Sequence, residues 1–159
     1  MTVDELLCAY NFHDCDVITP FMVQGDDITV TFVLAKHLQY DGIQSRQNPL
    51  YADKEYSLVV RIRFSECTCI KANEWTYETH KATTSKKSRK NVRQMTVEQF
   101  DWQLDFDSVC ISAERGISFV FVGPKKRVGD ISFQCRDIEI EEETLLDRTG
   151  YDALWGDSE

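Results

Sequence analysis

The stretch Asn11-Phe12-His13-Asp14, followed directly by Cys15, has the residue types that chemistry most often uses. His13 beside Asp14 could act as an oriented general base, and Cys15 could supply a nucleophile. Adjacent residues of a strand point to opposite faces, however, so these groups would not converge on one substrate. The same residues suit a structural role, with Phe12 anchoring a corner and His13 and Asp14 hydrogen-bonding the turn backbone. We therefore predict no catalytic residue and no enzymatic activity.

Cysteines are the other reactive side chains, and only Cys67 and Cys69 lie close together in the sequence. Their side chains are expected on one face of a strand, but no second cysteine pair or histidine pair completes a zinc set. We therefore expect structural thiols that behave as small hydrophobic groups, with no metal and no cofactor. Phosphate-binding glycine loops, nucleophile elbows and metalloprotease motifs are all missing from the sequence.

Charge is the strongest compositional signal. The 159 residues include 27 acidic and 18 basic side chains, which gives a formal net charge of −9. A field of this sign repels nucleic acid and anionic membranes, and it accelerates encounter with a basic protein. We therefore expect a protein partner, with no nucleic acid and no membrane.

The basic side chains are concentrated in residues 81–97, which contain six bases and no acid. Residues 81–94 are polar, lack a hydrophobic period and lack an aromatic platform on which bases could stack. A phosphate-gripping role is conceivable for this segment, but a solvated loop explains it as well. We predict a mobile basic loop at 81–94.

The last 23 residues, 137–159, have the opposite character, with nine acids and one base. Within the acidic segment 139–159, apolar side chains are interleaved with carboxylates, so the segment can dock onto a partner. A solvated strand end and tail is the alternative. Because interfaces favour an aromatic anchor ringed by polar groups, we predict a partner-binding site here. The candidate residues are Glu139, Glu141, Glu142, Glu143, Asp147, Tyr151 and Trp155.

The elements that must position these residues are mostly strands. Alternating apolar residues predict strands that include residues 16–24, 28–35, 55–64, 106–113, 117–122 and 130–140, with weaker candidates at 66–70 and 74–78. The capping-box spacing of Thr2 and Glu5 predicts a short helix at 2–10. A second short helix is predicted at 96–104, with Thr96 as its cap. The fold class is mainly β with a minor α component: an antiparallel sandwich or curled sheet of seven or eight strands with two or three short helices.

The alternation changes phase within the last strand. Ile131 and Phe133 share one parity, whereas Ile138 and Ile140 share the other. A strand with one buried face can change phase only through a bulge near Arg136-Asp137, or by crossing into another environment.

The length predicts one domain over residues 1–159. No apolar run approaches the roughly 18 residues of a membrane-spanning helix. The N-terminal residues MTVDELLCAY lack the positive charge and long apolar core of a secretory signal, so the expected location is cytoplasmic.

The order of these features resembles the small, acidic, β-rich immunity proteins of bacterial polymorphic toxin and contact-dependent growth inhibition systems. The resemblance covers the layout of most of the chain and is most specific at Phe12-His13-Asp14. It implies a cytoplasmic protein that binds a cognate toxin domain, such as a nuclease, and covers its active site with an acidic surface. The alternatives are a small enzyme using His13 and Asp14 with a cysteine, and an adaptor that binds another protein through a sheet edge.

Overall fold

The structure is a computed structural model of the chain. It describes residues 1–13, 15–34, 57–78, 89–100, 108–113, 116–123 and 126–154. The chain forms two compact units, of which the first is Met1–Cys67 with Cys135–Glu159 and the second is Thr68–Gln134. The expectation of a single domain stays a prediction.

The first unit contains an antiparallel sheet of four strands. Its strands are β1 (Asp16–Gln24), β2 (Asp27–Leu34), β3 (Ser57–Ser65) and β9 (Asp137–Leu146). They lie in the order β1-β2-β3-β9, so β1 and β9 are its edge strands. Pro20 lies in β1 where the pairing with β2 shifts register, which is a position that tolerates a residue without a backbone donor.

Strand β3 shows why this sheet has one buried face. Leu58, Val60, Ile62 and Phe64 are each 0% exposed, and every residue between them is only partly buried. Successive side chains of a strand point to opposite faces, so the alternation in sequence becomes an apolar face and a polar face. Burial of each apolar side chain stabilises the fold by about 1.5–3 kcal/mol.

The first helix, α1 (Val3–Ala9), begins at the predicted capping box. The Glu5 N–H donates to the Thr2 hydroxyl at 3.1 Å, and the Thr2 N–H donates to the Glu5 carboxylate at 2.7 Å. Leu6 is 4% exposed, as expected for a residue that packs inward, whereas Leu7 is 45% exposed.

The second unit contains an antiparallel sheet of five strands. Its strands are β4 (Thr68–Glu78), β5 (Arg89–Met95), β6 (Ser108–Ser112), β7 (Ile117–Val122) and β8 (Arg127–Gln134). They lie in the order β5-β4-β8-β7-β6. A short 3₁₀ helix, Val97–Gln99, begins after the predicted cap Thr96. The buried aromatic side chains Phe119, Phe121 and Phe133 form much of the core.

Strand β5 corrects the prediction of a mobile loop at 81–94. Residues 81–88 lie outside the described residues, but Arg89–Met95 pairs with β4 along its whole length. Backbone hydrogen bonds do not require apolar side chains, and charged side chains are common on an edge strand because they discourage edge-to-edge pairing. The loop prediction is therefore wrong from Arg89 onward.

The phase change in the last predicted strand comes from a crossing between sheets. Strand β8 ends at Gln134 in the five-stranded sheet, and β9 begins at Asp137 in the four-stranded sheet. Of the two alternatives, the crossing into another environment is therefore correct.

The predicted fold class, mainly β with antiparallel strands and few short helices, is confirmed. The described residues contain nine strands, because the candidate strand at 130–140 is two strands, the basic segment supplies another, and the two weaker candidates at 66–70 and 74–78 are a single strand, β4. The last described element is the helix α2 (Arg148–Leu154). None of the described helices is long and apolar enough to cross a membrane.

Candidate functional site

The predicted acidic residues lie mainly on β9, whose only strand neighbour in the described sheet is β3. In this register Glu139 lies opposite Arg63 and Glu142 lies opposite Arg61, with Glu141 as an extra residue on β9. An extra residue of this kind is a β-bulge, in which two residues of one strand oppose one residue of the other. The bulge therefore brings Glu141 and Glu142 to the same arginine.

Five side chains form a network of ion pairs that we call the charged cluster: Arg61, Arg63, Glu139, Glu141 and Glu142. Arg61 donates from Nε to the Glu141 carboxylate at 3.0 Å, and its Nη1 lies 3.0 Å from the Glu142 carboxylate. Arg63 donates to the Glu139 carboxylate, and its Nε lies 3.7 Å from Glu141. Glu141 therefore bridges both guanidinium groups.

The charged cluster is less negative than the sequence suggests. Three carboxylates and two guanidinium groups leave a net charge of −1. The side chains of Glu139 and Glu142 are 53% and 56% exposed, whereas that of Glu141 is 26% exposed. The two outer carboxylates are thus more available to solvent than the central one, which its two arginines partly shield.

Glu143 lies on the other face of the strand. It pairs with Val60, which is fully buried, and directly paired residues of neighbouring strands share a face. The Tyr10 hydroxyl donates to the Glu143 carboxylate at 2.6 Å. The four predicted glutamates are therefore divided, with three in the charged cluster and Glu143 hydrogen-bonded on the apolar side.

Asp147 has a local structural contact at the start of α2. Its carboxylate accepts a hydrogen bond from the Gly150 N–H at 2.8 Å, which satisfies a backbone donor in the first turn of the helix. Tyr151 lies within α2, and Trp155 lies outside the described residues. The partner-binding role of all seven candidate residues stays a prediction.

A shallow cleft of 190 Å³, which we call the α2 groove, adjoins the charged cluster. Its lining residues are Thr31, Val59, Arg61, Glu142, Thr144, Leu146 and Leu154. Leu146 and Leu154 contribute apolar surface from β9 and α2, while Arg61 and Glu142 belong to the charged cluster. The groove therefore places apolar surface directly beside exposed charge.

The residues considered for catalysis have contrasting surroundings. His13 is exposed, and its backbone N–H donates to the Asn11 side-chain oxygen at 2.9 Å, as in an Asx turn. Cys15 is only 2% exposed, and Asp14 lies outside the described residues. A thiol this deeply buried cannot reach a substrate without movement of the chain.

The pair Cys67 and Cys69 does not share a face, contrary to expectation. Cys67 is 4% exposed, whereas Cys69 is exposed and has a left-handed backbone with φ of 53°. The pairing of β4 with β8 also shifts register between Thr68 and Lys71, which breaks the simple alternation of the strand. Within the described residues, no three histidine, cysteine or acidic side chains are grouped as a metal site.

Two aspartates outside the cluster have pKa values shifted in opposite directions. Loss of hydration in its half-buried position raises the pKa of Asp16. The N-terminal ammonium of Met1, 3.0 Å away, lowers the pKa of Asp137, and a backbone hydrogen bond from Ile138 adds to this effect.

Arg61 and Arg63 are the site residues that the sequence analysis missed. The alternation of β3 already predicts that both face outward. Their partners depend on which strand lies beside β3 and on the bulge at Glu141, and neither is encoded in a local pattern.

No family model, no curated protein and no solved structure matches this chain.

Proposed function

We propose that this chain is an immunity protein that binds a cationic toxin domain in the cytoplasm and covers its active site. One observation carries the proposal: Glu139 and Glu142 are more than half exposed on the edge strand β9. An edge strand with exposed carboxylates offers a partner both charge and unpaired backbone groups.

Electrostatics favours a basic partner. The chain has a formal net charge of −9, so a positively charged protein approaches it faster than a neutral one does. A nuclease toxin must attract phosphate, which makes its active cleft positive. An inhibitor that presents carboxylates to this cleft imitates the charge of the substrate.

The charged cluster suggests which carboxylates a partner would use. Glu139 and Glu142 are exposed and each is paired with one arginine, whereas Glu141 contacts both arginines. Exposed ion pairs are worth about 0–1 kcal/mol, so a cationic side chain of the partner can replace an arginine at low cost. Both arginines would then remain paired with Glu141.

The α2 groove can supply the apolar part of the interface. Leu146 and Leu154 line it beside Glu142, and interfaces commonly combine an apolar anchor with a charged rim. A partner side chain in the groove would be held next to the carboxylates. Tyr151 and Trp155 stay predicted contact residues of the same segment.

Co-expression with the product of the reading frame immediately upstream tests the proposal. We expect that product to arrest growth alone, and we expect this chain to restore growth and to co-purify with it as a one-to-one complex. The double variant E139K/E142K should slow association at low salt by at least about tenfold and flatten its salt dependence.

The matched control is D26K/E98K, which changes the net charge equally at two exposed positions outside β9. This variant should retain more of the association rate than E139K/E142K. Equal rates for the two double variants would show that β9 is not the site. A stable complex with an upstream product that is not toxic would instead identify an adaptor.

A further inference from the structure

The chain leaves the first unit after Cys67 and re-enters it at Cys135. Strand pairing is defined on each side of these positions. Ser65 pairs with Asp137, and Thr68 pairs with Gln134. Only residues 66–67 of one segment and 135–136 of the other lie between these two pairs, so the two segments run side by side here.

Contacts within this gap hold the two segments together. The Arg136 N–H donates to the Ser65 carbonyl at 3.0 Å, and the Arg136 guanidinium lies 3.4 Å from the Glu66 carboxylate. The remaining residue on each segment is a cysteine, Cys67 or Cys135, and both are free thiols. Counting inward from either strand pair, the antiparallel register sets Cys67 opposite Cys135.

The electrostatics of the thiols agree with this proximity. Burial raises the pKa of Cys67 to about 12, and the nearby Cys135 adds to the rise because two thiolates would repel each other. Burial also raises the pKa of Cys135. Cys135 is half-buried and Cys67 is almost fully buried, so an external reagent meets Cys135 first.

We infer that Cys67 and Cys135 are an oxidisable pair, which a small-molecule disulfide such as oxidised glutathione converts to an intramolecular disulfide in the folded protein. Opposed residues of antiparallel strands have Cα atoms about 4.5–5.5 Å apart, within the 4.4–6.8 Å range that a disulfide requires. The reaction is a modification of the chain that is independent of toxin binding.

The reaction proceeds by two thiol–disulfide exchanges. Cys135 loses its proton, and its sulfur attacks one sulfur of oxidised glutathione, which releases one glutathione thiol. Cys67 then loses its proton and attacks the Cys135 sulfur of the mixed disulfide, which releases the second glutathione. Two protein thiols are oxidised, and one glutathione disulfide is reduced to two thiols.

The bond would join Cys67, where the first part of the first unit ends, to Cys135, where its second part begins. It would close a loop that contains all of Thr68–Gln134. A crosslink over a loop this long restricts the unfolded chain more than the folded one. The oxidised protein should therefore unfold at a higher urea concentration than the reduced protein.

The test uses the full chain in the C8S/C69S/C110S background, which removes the exposed cysteines. The protein is incubated with oxidised glutathione at pH 8.5, capped with iodoacetamide and digested with trypsin without reduction. We expect a linked pair of peptides, residues 64–71 with residues 128–136, at the summed mass minus two hydrogens. The linkage should disappear after reduction, and the urea midpoint should rise with oxidation.

Two variants distinguish this pair from neighbouring thiols. In the C8S/C110S background, C69S should still yield the linked peptides, whereas C67S, which keeps Cys69 on the same peptide, should yield glutathione adducts of the remaining accessible thiols and no linked peptides. Linkage in C67S, linkage only in urea, or an oxidised form that is less stable than the reduced one would each overturn the inference.

Discussion

The two faces of the β3–β9 pair have opposite character. On one face, Val60, Ile62 and Phe64 of β3 are fully buried. On the other, Arg61 and Arg63 of the same strand are 41% exposed and are held by carboxylates of β9. Buried apolar residues and partly exposed arginines alternate along β3, so neighbouring residues in sequence lie on opposite faces. One face contributes to stability, and the other is accessible to solvent.

The difference indicates where substitutions should act. Burial of apolar area is the main favourable term in folding, whereas exposed ion pairs contribute about 0–1 kcal/mol. A change on the apolar face should therefore act on stability. A change in the charged cluster should act on association with a partner and leave stability almost unchanged.

The largest expected effect is on the apolar face. Phe64→Ala removes a fully buried ring and leaves a cavity, so we expect the free energy of unfolding to fall by about 3–5 kcal/mol. Urea denaturation followed by circular dichroism measures this change.

Arg63→Ala, at the neighbouring position on the opposite face, is the matched control for this substitution. It should lower the free energy of unfolding by no more than about 1 kcal/mol, because its ion pairs are exposed. A loss as large as that of Phe64→Ala would show that the charged cluster, too, is a major source of stability.

Much of the fold follows from local patterns in the sequence. The alternation of β3 predicts which residues are buried, and the spacing of Thr2 and Glu5 predicts the start of α1. The parity change after Phe133 indicates a crossing or a bulge, and the structure shows the crossing. These features depend on contacts between near neighbours in sequence or on a strict period.

The remaining features depend on contacts that are distant in sequence. Strand β5 has no apolar period, so only its pairing with β4 identifies it as a strand. The arginine partners of the β9 carboxylates depend on the order of strands and on a one-residue bulge at Glu141. An acidic run in sequence therefore overstates the charge that the folded surface presents.

The second prediction removes a positive charge from the cluster. Arg61→Met keeps the length of the side chain but releases Glu142 and one contact of Glu141, and the formal net charge changes from −9 to −10. Stability should change by no more than about 1 kcal/mol. Association with the proposed toxin should become about two- to fivefold faster at low salt, as measured by stopped-flow fluorescence.

Arg93→Met, in the edge strand β5, is the control with the same change in charge. It should produce a smaller acceleration, because the lost charge lies outside the cluster. Slower association of Arg61→Met would mean that the guanidinium itself contacts the partner.

The smallest expected effect concerns β1, the other edge strand of the same sheet. There the carboxyl group of Asp16 is half-buried, whereas the outer carboxylates of β9 are exposed. Asp16 pairs with Val33, which is only 5% exposed, and loss of hydration raises the pKa of its carboxyl group. The folded state disfavours the charged carboxylate of Asp16. The free energy of unfolding of the wild type therefore falls as the pH rises from the ordinary aspartate pKa of about 3.9 through the higher pKa of the folded state. Asp16→Asn should therefore unfold at a higher urea concentration than wild type at pH 7, and this advantage should largely disappear below about pH 3, where both forms are neutral.

Asp137→Asn, which removes a carboxyl group with a lowered pKa, should unfold at a lower urea concentration than wild type at pH 7. If both variants shift in the same direction, hydration does not distinguish the two edges of the sheet.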